Sequence, residues 1–539
     1  MNLASRMAQI EGISTTAQGF IYGGLRMKKD DIDNVQYGLV GFESISPTGI
    51  PRRNLVVVEG APGSGKTTLA LQYIVQGILK FKEAGVFVTF EHSPEKLRRD
   101  ARSFGWDLQA LEERQMLKII YTSPEVLLNE LNHQDNALRK EIEELSAKRI
   151  AIDGLAPLRM FSERQGQDSF RVNLHLLGEL LLQQSAHAVI TSEGQDKLTY
   201  SDEHFIADSI IHLGCTRDRK GLTRRFIELV KSRGHDFVKG RHAIEIEEDE
   251  GVRVYPRAEA IAARLQLPAG NRGNIPCGVE GLSELFGGDL IEGSITLAVG
   301  ITGTGKTSVA ATFIAENLKK SRKCAYLTLD EPKEQVLLNN KTIGIDFQPY
   351  IEKDQLKLIY ENPLEIEPDI HFARIKDLVE NEGIDCFVID SISCYDDELG
   401  IRAESFTKAL SALFKSHRVT AFLTLESQEM IGISQISRDY NVSVIADNII
   451  LLTYVETSAK LRRAITVPKA RASRTIGETR ELSIDSKGCR VISQNCSNDM
   501  SEYHALPQLP FSSYYGVLGK TPNRLSPYLE KQRAKSVSS

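Results

Sequence analysis

Basic excess, paired cysteines and long apolar runs are all missing from this chain of 539 residues. Lys and Arg number 66 against 72 Asp and Glu, a formal net charge of -6, so no broad positive field points to nucleic acid or an anionic membrane. The seven cysteines (215, 277, 324, 386, 394, 489 and 496) form no C-x-x-C and no metal-like spacing. Such an odd, scattered set reads as reduced thiols of a cytosol. No stretch approaches the roughly 18 apolar residues of a membrane-spanning helix. Residues 1–20 lack a charged head followed by an apolar core, so no secretory leader is expected. A soluble cytoplasmic protein is the expectation. What is present, 41% apolar and 26% charged residues, is a globular composition, and the length fits two to four domains.

The chain is written twice. "GAPGSGKTT" (60–68) and "GITGTGKTS" (300–308) set Lys66 against Lys306, 240 residues apart. "RIAIDGL" (149–155) and "CFVIDSI" (386–392) set Asp153 against Asp390, 237 apart. "FIADSIIHL" and "VIADNIILL" set Asp208 against Asp447, and "VKSRG" and "PKARA" set Lys231 against Lys469, at 239 and 238. A nearly constant offset at four landmarks means tandem duplication of one unit.

Within a unit, short Val- and Ile-rich runs ("LVVVEG", "GVFVTFE", "RIAIDG", "HAVITSE", "SIIHLG") alternate with amphipathic helical patterns such as 66–81 and 170–184. That alternation predicts an α/β fold with a mostly parallel sheet covered by helices on both faces. Two polar-alternating strands, "RRFIELVKSRG" and "RHAIEIEE", predict a closing β-hairpin. The expected division is an N-terminal extension at 1–30, a first unit at 31–257, a Gly- and Pro-rich linker at 258–277, a second unit at 278–492 and a polar tail at 493–539.

G-x-x-x-x-G-K-[ST] between a strand and a helix is a phosphate loop. Its glycines let backbone N–H groups turn toward phosphate oxygens, its Lys supplies a point charge, and its hydroxyl suits Mg²⁺. The nucleotide is therefore assigned to Gly60, Gly63, Ser64, Gly65, Lys66, Thr67 and Thr68, and to Gly300, Thr302, Gly303, Thr304, Gly305, Lys306, Thr307 and Ser308. ATP with Mg²⁺ is the ligand expected. Asp153 and Asp390, each ending an apolar strand, suit a Walker-B carboxylate that holds Mg²⁺ with Thr67 or Thr307. A group to activate water is sought at the end of the strand after the loop helix, where Glu91-His92 and Asp330-Glu331 stand. Lys231 with Arg233, and Lys469 with Arg471, lie two residues apart and suit either a solvated charged face or an arginine-finger pair reaching a neighbour's γ-phosphate. Glu193 and Glu426 end a further matched pair of strands, as γ-phosphate sensors or as ordinary strand-end acids.

Residues 38–492 resemble the KaiC-like family of double RecA-type ATPases and autokinases. The phrases that carry the likeness are "GVFVTFEHSPEKLRRDARSFGWDL" (85–108), both phosphate loops, "IADNIILLTYVE" (445–456) and the two K-x-R strands. The resemblance implies two tandem RecA-like P-loop domains, a homo-hexamer with ATP between subunits, and Lys231, Arg233, Lys469 and Arg471 acting on a neighbour's nucleotide. It implies catalytic carboxylates at Glu91, Asp330 and Glu331, and signalling partners of the KaiB-like or response-regulator and kinase classes. It also implies autophosphorylation just before the "IADNIILL" strand, where Ser443-Val444 offers one hydroxyl, Ser443, instead of two. His92 replaces a glutamate of the family's pair, Asp330 is one methylene short, and the tail does not resemble a partner-binding tail. Two other readings remain open at this point: a RecA-type nucleic-acid motor, and a nucleotide-gated scaffold that does not hydrolyse. The motor is disfavoured because the segment after Asp153 carries three arginines (159, 164 and 171) while its copy, 393–406, is acidic.

Overall fold

A computed structural model describes residues 21–22, 25–26, 33–131, 136–166, 169–184, 186–194, 202–218, 220–427, 445–457, 460–471 and 475–492. Ser443-Val444 and the tail from 493 lie outside the described residues.

Each unit is built on a sheet of nine strands. The first unit has β1 (Leu55–Gly60), β2 (Gly85–Thr89), β3 (Leu117–Tyr121), β4 (Arg149–Asp153), β5 (His187–Glu193), β6 (Ser209–Arg217), β7 (Thr223–Ser232), β8 (His242–Glu247) and β9 (Gly251–Tyr255). The second has β10 (Ile295–Gly300), β11 (Cys324–Thr328), β12 (Leu356–Tyr360), β13 (Cys386–Asp390), β14 (Thr420–Glu426), β15 (Asn448–Thr457), β16 (Lys460–Ala470), β17 (Thr479–Asp485) and β18 (Gly488–Val491). The spatial orders are β9-β8-β7-β6-β1-β5-β4-β2-β3 and β18-β17-β16-β15-β10-β14-β13-β11-β12. The duplication therefore extends to topology, strand for strand.

From β6 across β1 to β3 every pairing is parallel, and from β6 outward to β9 every pairing is antiparallel. β1 and β10 are buried at all six positions, which is why their sequences run largely apolar without alternation, Glu59 and Thr296 excepted. One face of the first sheet packs the helix Lys66–Phe81 around Tyr37, Tyr73, Phe87 and Trp106. The other packs the helices Leu155–Gln165 and Ser169–Gln183 around Leu55, Val86, Phe170 and Leu177. β3 and β9, edge strands that the hydrophobic pattern did not single out, complete the sheet. The closing hairpin is larger than expected: β6 to β9 form a four-strand antiparallel meander.

The units touch along two seams. The helix Ala258–Ala262 docks on the second unit, where Ala258 N–H donates to Asp369 (3.0 Å) and Arg402 pairs with both Glu259 (3.2 Å) and Asp369 (2.7 Å). At the tip of the β6–β7 hairpin, Lys220 pairs with Glu398 and donates to the Leu364 carbonyl (2.8 Å), while Arg224 donates to the Glu365 carbonyl (3.1 Å).

Candidate functional site

Gly60 ends β1 in the middle of the sheet, where β6 and β5 flank it and an open α/β sheet binds its ligand. A side chain at Gly60 would strike the Leu213 carbonyl at 2.1 Å, so this position admits only glycine. Gly63 and Gly65 hold φ of 79° and 103°, which bends the loop into the helix Lys66–Phe81. No side chain caps that helix, leaving its first-turn N–H groups for an external acceptor. A Cβ on Gly63 would meet nothing within 4 Å, and the buried Ser64 hydroxyl has no hydrogen-bond partner. These are the properties of a cradle shaped for phosphate. Lys66 Nζ donates to the carbonyls of Gly60 (2.8 Å) and Ala61 (3.1 Å). Lys306 does the same to Gly300 and Ile301, at the same distances.

Both lysines are ringed by three carboxylates. Burial lowers the Lys66 ammonium below its ordinary range, while the charges of Glu193, Asp153 and Glu91 work to raise it. Lys306 is lowered by burial too, opposed by Glu426, Asp390 and Asp330. One member of each ring comes from the strand beside β1 or β10, one from the next strand, and one from the turn after β2 or β11. Glu91 overhangs Gly154: a Cβ there would lie 3.7 Å from its carboxylate.

Asp153 is buried and accepts from Thr67 Oγ1 (3.0 and 3.2 Å to its two oxygens) and from Thr191 (2.8 Å). Asp390 instead accepts from Tyr326 (2.8 Å to Oδ2) and from Thr424. Tyr326 aligns with Phe87, so this phenol is a second-unit addition. A hydroxyl with a carboxylate at the mouth of a phosphate loop is the oxygen donor set that suits Mg²⁺.

The water-activating candidates differ between the units. Burial pushes the Asp330 carboxyl above the usual aspartate range; the Cys394 thiol (3.1 Å) and Ser391 oppose this, and Asp390 and Glu426 add to it. Glu331 turns away, held by Asn339 Nδ2 (2.9 Å) on the following helix. His92 sits 3.2 Å from Lys96 Nζ. The ring around Lys66 or Lys306 thus takes in Glu91 and Asp330, and neither His92 nor Glu331.

Lys231 and Arg233 stand elsewhere. Lys231 Nζ donates to the carbonyls of Ala207 (2.6 Å) and His204 (2.9 Å), and Arg233 pairs with Asp208 (3.3 Å). Asp208 in turn accepts from Leu55 N–H (3.1 Å) at the start of β1. Five residues at about 3.3 Å each put this pair about 17 Å from the phosphate loop of its own unit. Lys469 donates to Ala446 (2.7 Å) and Arg471 pairs with Asp447 (3.2 Å), which repeats the arrangement. Arg233 and Arg471 remain largely exposed, at 62% and 56%.

The chain is similar to known proteins along most of its length. The KaiC ATPase family model matches it twice, at residues 35–259 and 275–496. A circadian clock oscillator protein KaiC from Parathermosynechococcus lividus is 32% identical over 471 residues, 85% of each chain. The circadian clock protein KaiC3 of Synechocystis sp. is 29% identical, covering 92% of this chain and 95% of the relative. KaiC of Synechococcus elongatus is 31% identical, covering 83% and 87%. Among the described residues no helix is long and apolar enough to cross a membrane. With two matches that span most of its length, and the phosphate-loop fold laid down twice, the chain belongs to the KaiC family of tandem ATPase domains.

Proposed function

We propose that this protein binds and hydrolyses ATP at both phosphate loops, as a ring of six chains in a bacterial clock or stress-signalling system. The observation that carries the reading is the pair of half-buried lysines, Lys66 and Lys306, each within the field of the same three carboxylate positions. The units 31–257 and 278–492 each hold one nucleotide. Lys66 and Lys306 take the β- and γ-phosphates. Thr67 with Asp153, and Thr307 with Asp390, hold Mg²⁺, which neutralises phosphate charge when bound. Glu91 and Asp330 orient or deprotonate the attacking water. Lys231, Arg233, Lys469 and Arg471 serve the nucleotide of the next subunit. Their distance from the loop of their own unit and the exposure of both arginines support that assignment. Nucleotide is then part of the interface and stabilises the ring that binds it.

The relatives' names, those of circadian clock proteins, extend the proposal to timekeeping. Signalling partners of the KaiB-like or response-regulator and kinase classes and a cytoplasmic setting belong to the same proposal. Autokinase activity is part of the proposal at a single acceptor, Ser443. Equilibrium binding of Mg-ATP is the direct test. The intact chain takes up two nucleotides, Lys66→Ala and Lys306→Ala each lose one, and phosphate release follows. A variant that keeps both nucleotides disproves the loop it alters.

A further inference from the structure

Directly beneath the first phosphate loop lies a cluster of titratable groups that the second unit lacks. Glu59, the residue before Gly60, is 7% exposed. One of its carboxylate oxygens faces His204 Nε2 at 2.7 Å and the other faces His212 Nδ1 at 3.2 Å. Both histidines are under 10% exposed. Glu59 pairs in register with Ser192 on β5 and with His212 on β6, so all three side chains share one face of the sheet. At the matching positions of the second unit stand Val299, Leu425 and Leu451. A polar row has been written across one copy of the sheet and an apolar row across the other.

Burial of three ionisable groups is costly unless they satisfy one another, and here they do. Burial raises the Glu59 carboxyl, but hydrogen bonds from His212 and His204, with their charges, outweigh it and bring the group below its ordinary range. Among the described residues the neighbouring charges have partners of their own. Glu203, beside His204, accepts from Ser192 (3.1 Å) and pairs with Arg159. Lys231 donates to the His204 carbonyl (2.9 Å). Glu228, opposite His212 on β7, pairs with Arg241 (3.4 Å). Glu193 and Lys66 belong to the loop mouth above. Among the described residues no His, Cys, Asp and Glu cluster is arranged to hold a metal ion.

The cluster is joined to the loop by short links. Gly60 follows Glu59, and its carbonyl accepts from Lys66 Nζ (2.8 Å) and from Gly194 N–H (3.2 Å). Leu213, next to His212, presses its carbonyl against Gly60. A shift of Glu59 is therefore a shift of the atoms that aim Lys66.

We propose that Glu59, clamped between His204 and His212, is a positioning residue for the first phosphate loop, and that protonation of this histidine pair tunes nucleotide affinity there and not at the second loop. The inference rests on the reading of both loops as ATP sites. Histidine is the side chain suited to carry such a pH linkage, and two of them face the residue that precedes Gly60. An imidazolium behind the loop adds positive charge close to the phosphates, and binding tightens as the pH falls.

The test uses full-length Lys306→Ala, which retains the first site, and full-length Lys66→Ala, which retains the second. A fluorescent ATP analogue with Mg²⁺ is titrated into each at pH 6 and pH 8. The second site is the control for titration of the terminal phosphate itself, which falls in the same range. The first site gains about three- to tenfold more affinity on acidification than the second, the effect of one added charge at that range. His204→Gln with His212→Asn, in the Lys306→Ala chain, keeps an N–H donor at each ring position but cannot titrate, and its gain falls to that of the second site. Glu59→Gln, the alternative should the double variant not fold, removes the carboxylate that both imidazoles face and flattens the profile likewise. Equal gains at the two sites, or an undiminished gain in either variant, overturns the proposal. Absence of any binding by Lys306→Ala overturns instead the reading of the first loop.

Discussion

Thr67 donates its hydroxyl toward both carboxylate oxygens of Asp153, at 3.2 and 3.0 Å, whereas the matching Asp390 receives its hydrogen bonds from Tyr326 and Thr424. One fold thus holds the same strand-end carboxylate in two hydrogen-bonded states. Tyr326→Phe copies Phe87 of the first unit and frees Asp390 Oδ2. Removing that competing donor raises the Mg²⁺ dependence of binding at the second loop toward that of the first, read by titrating Mg²⁺ into Lys66→Ala with and without the change. Unaltered Mg²⁺ dependence means that the phenol has no part in the site.

The exposed arginines separate binding from turnover. Arg233→Ala and Arg471→Ala each leave nucleotide stoichiometry at two while phosphate release from the affected tier falls, by about 10³-fold or more if each acts as a true arginine finger. Stoichiometry and release are measured on the same preparation. Full activity in a chain that remains monomeric contradicts the intersubunit assignment.

A third expectation concerns pH. The Asp330 carboxyl is held above the usual aspartate range by burial first, against the Cys394 hydrogen bond. A base works only when ionised, so acidification silences the second site at a higher pH than an ordinary aspartate near 3.9 would. Cys394→Val removes a contact that opposes the shift and moves the midpoint higher still. Asp330→Asn reduces release about a hundredfold or more. Rate profiles of the Lys66→Ala chain give both.

Stability is most exposed at Arg149. Its side chain is 1% exposed and pairs with Glu83 (2.7 Å), donates to the carbonyls of Tyr73 (3.1 Å) and Gln36 (2.7 Å), and lies over the rings of Tyr73 and Phe81. Glu83→Gln leaves this cation without its countercharge at a cost of about 3 kcal/mol. Burial works to raise the Glu83 carboxyl, but Arg149 and Arg52 outweigh it and lower the group. The stabilisation is complete above the unfolded glutamate's pKa and is lost as pH falls through the lower folded value. Thermal melts of the variant should accordingly show the largest deficit near neutrality and a shrinking one in acid.

For the kinase activity, incubation with Mg-ATP followed by mass mapping gives at most one principal site, Ser443, because Val444 has no hydroxyl to offer. Two sites filling in sequence contradict this, and no phosphate at all leaves an ATPase alone.

The repeat, the two loops and the strand-end aspartates were legible in the sequence because each is a contiguous string whose spacing is set by backbone geometry. Contacts between side chains were not. Glu331 reads as a partner for Asp330 until Asn339, eight residues on, draws it aside. The clamp on Glu59 joins positions 145 and 153 residues apart, and no local pattern announces it. β3 and β9 stand at the sheet edges and are interrupted by Lys118 and Arg253, so neither forms the continuous apolar run that marks an inner strand.

The hairpin that carries Lys231 at its base ends at a tip seated on the second unit, and this bears on how the protein can be dissected. Glu398, whose side chain is 12% exposed, has its charge partner, Lys220, on the other half of the molecule. Cutting the chain between the repeats strips the second half of that countercharge and removes Arg224 from the Glu365 carbonyl. The two copies descend from one gene segment, yet each has become part of the other's scaffold. A half expressed alone is a mutant of the protein, not a sample of it.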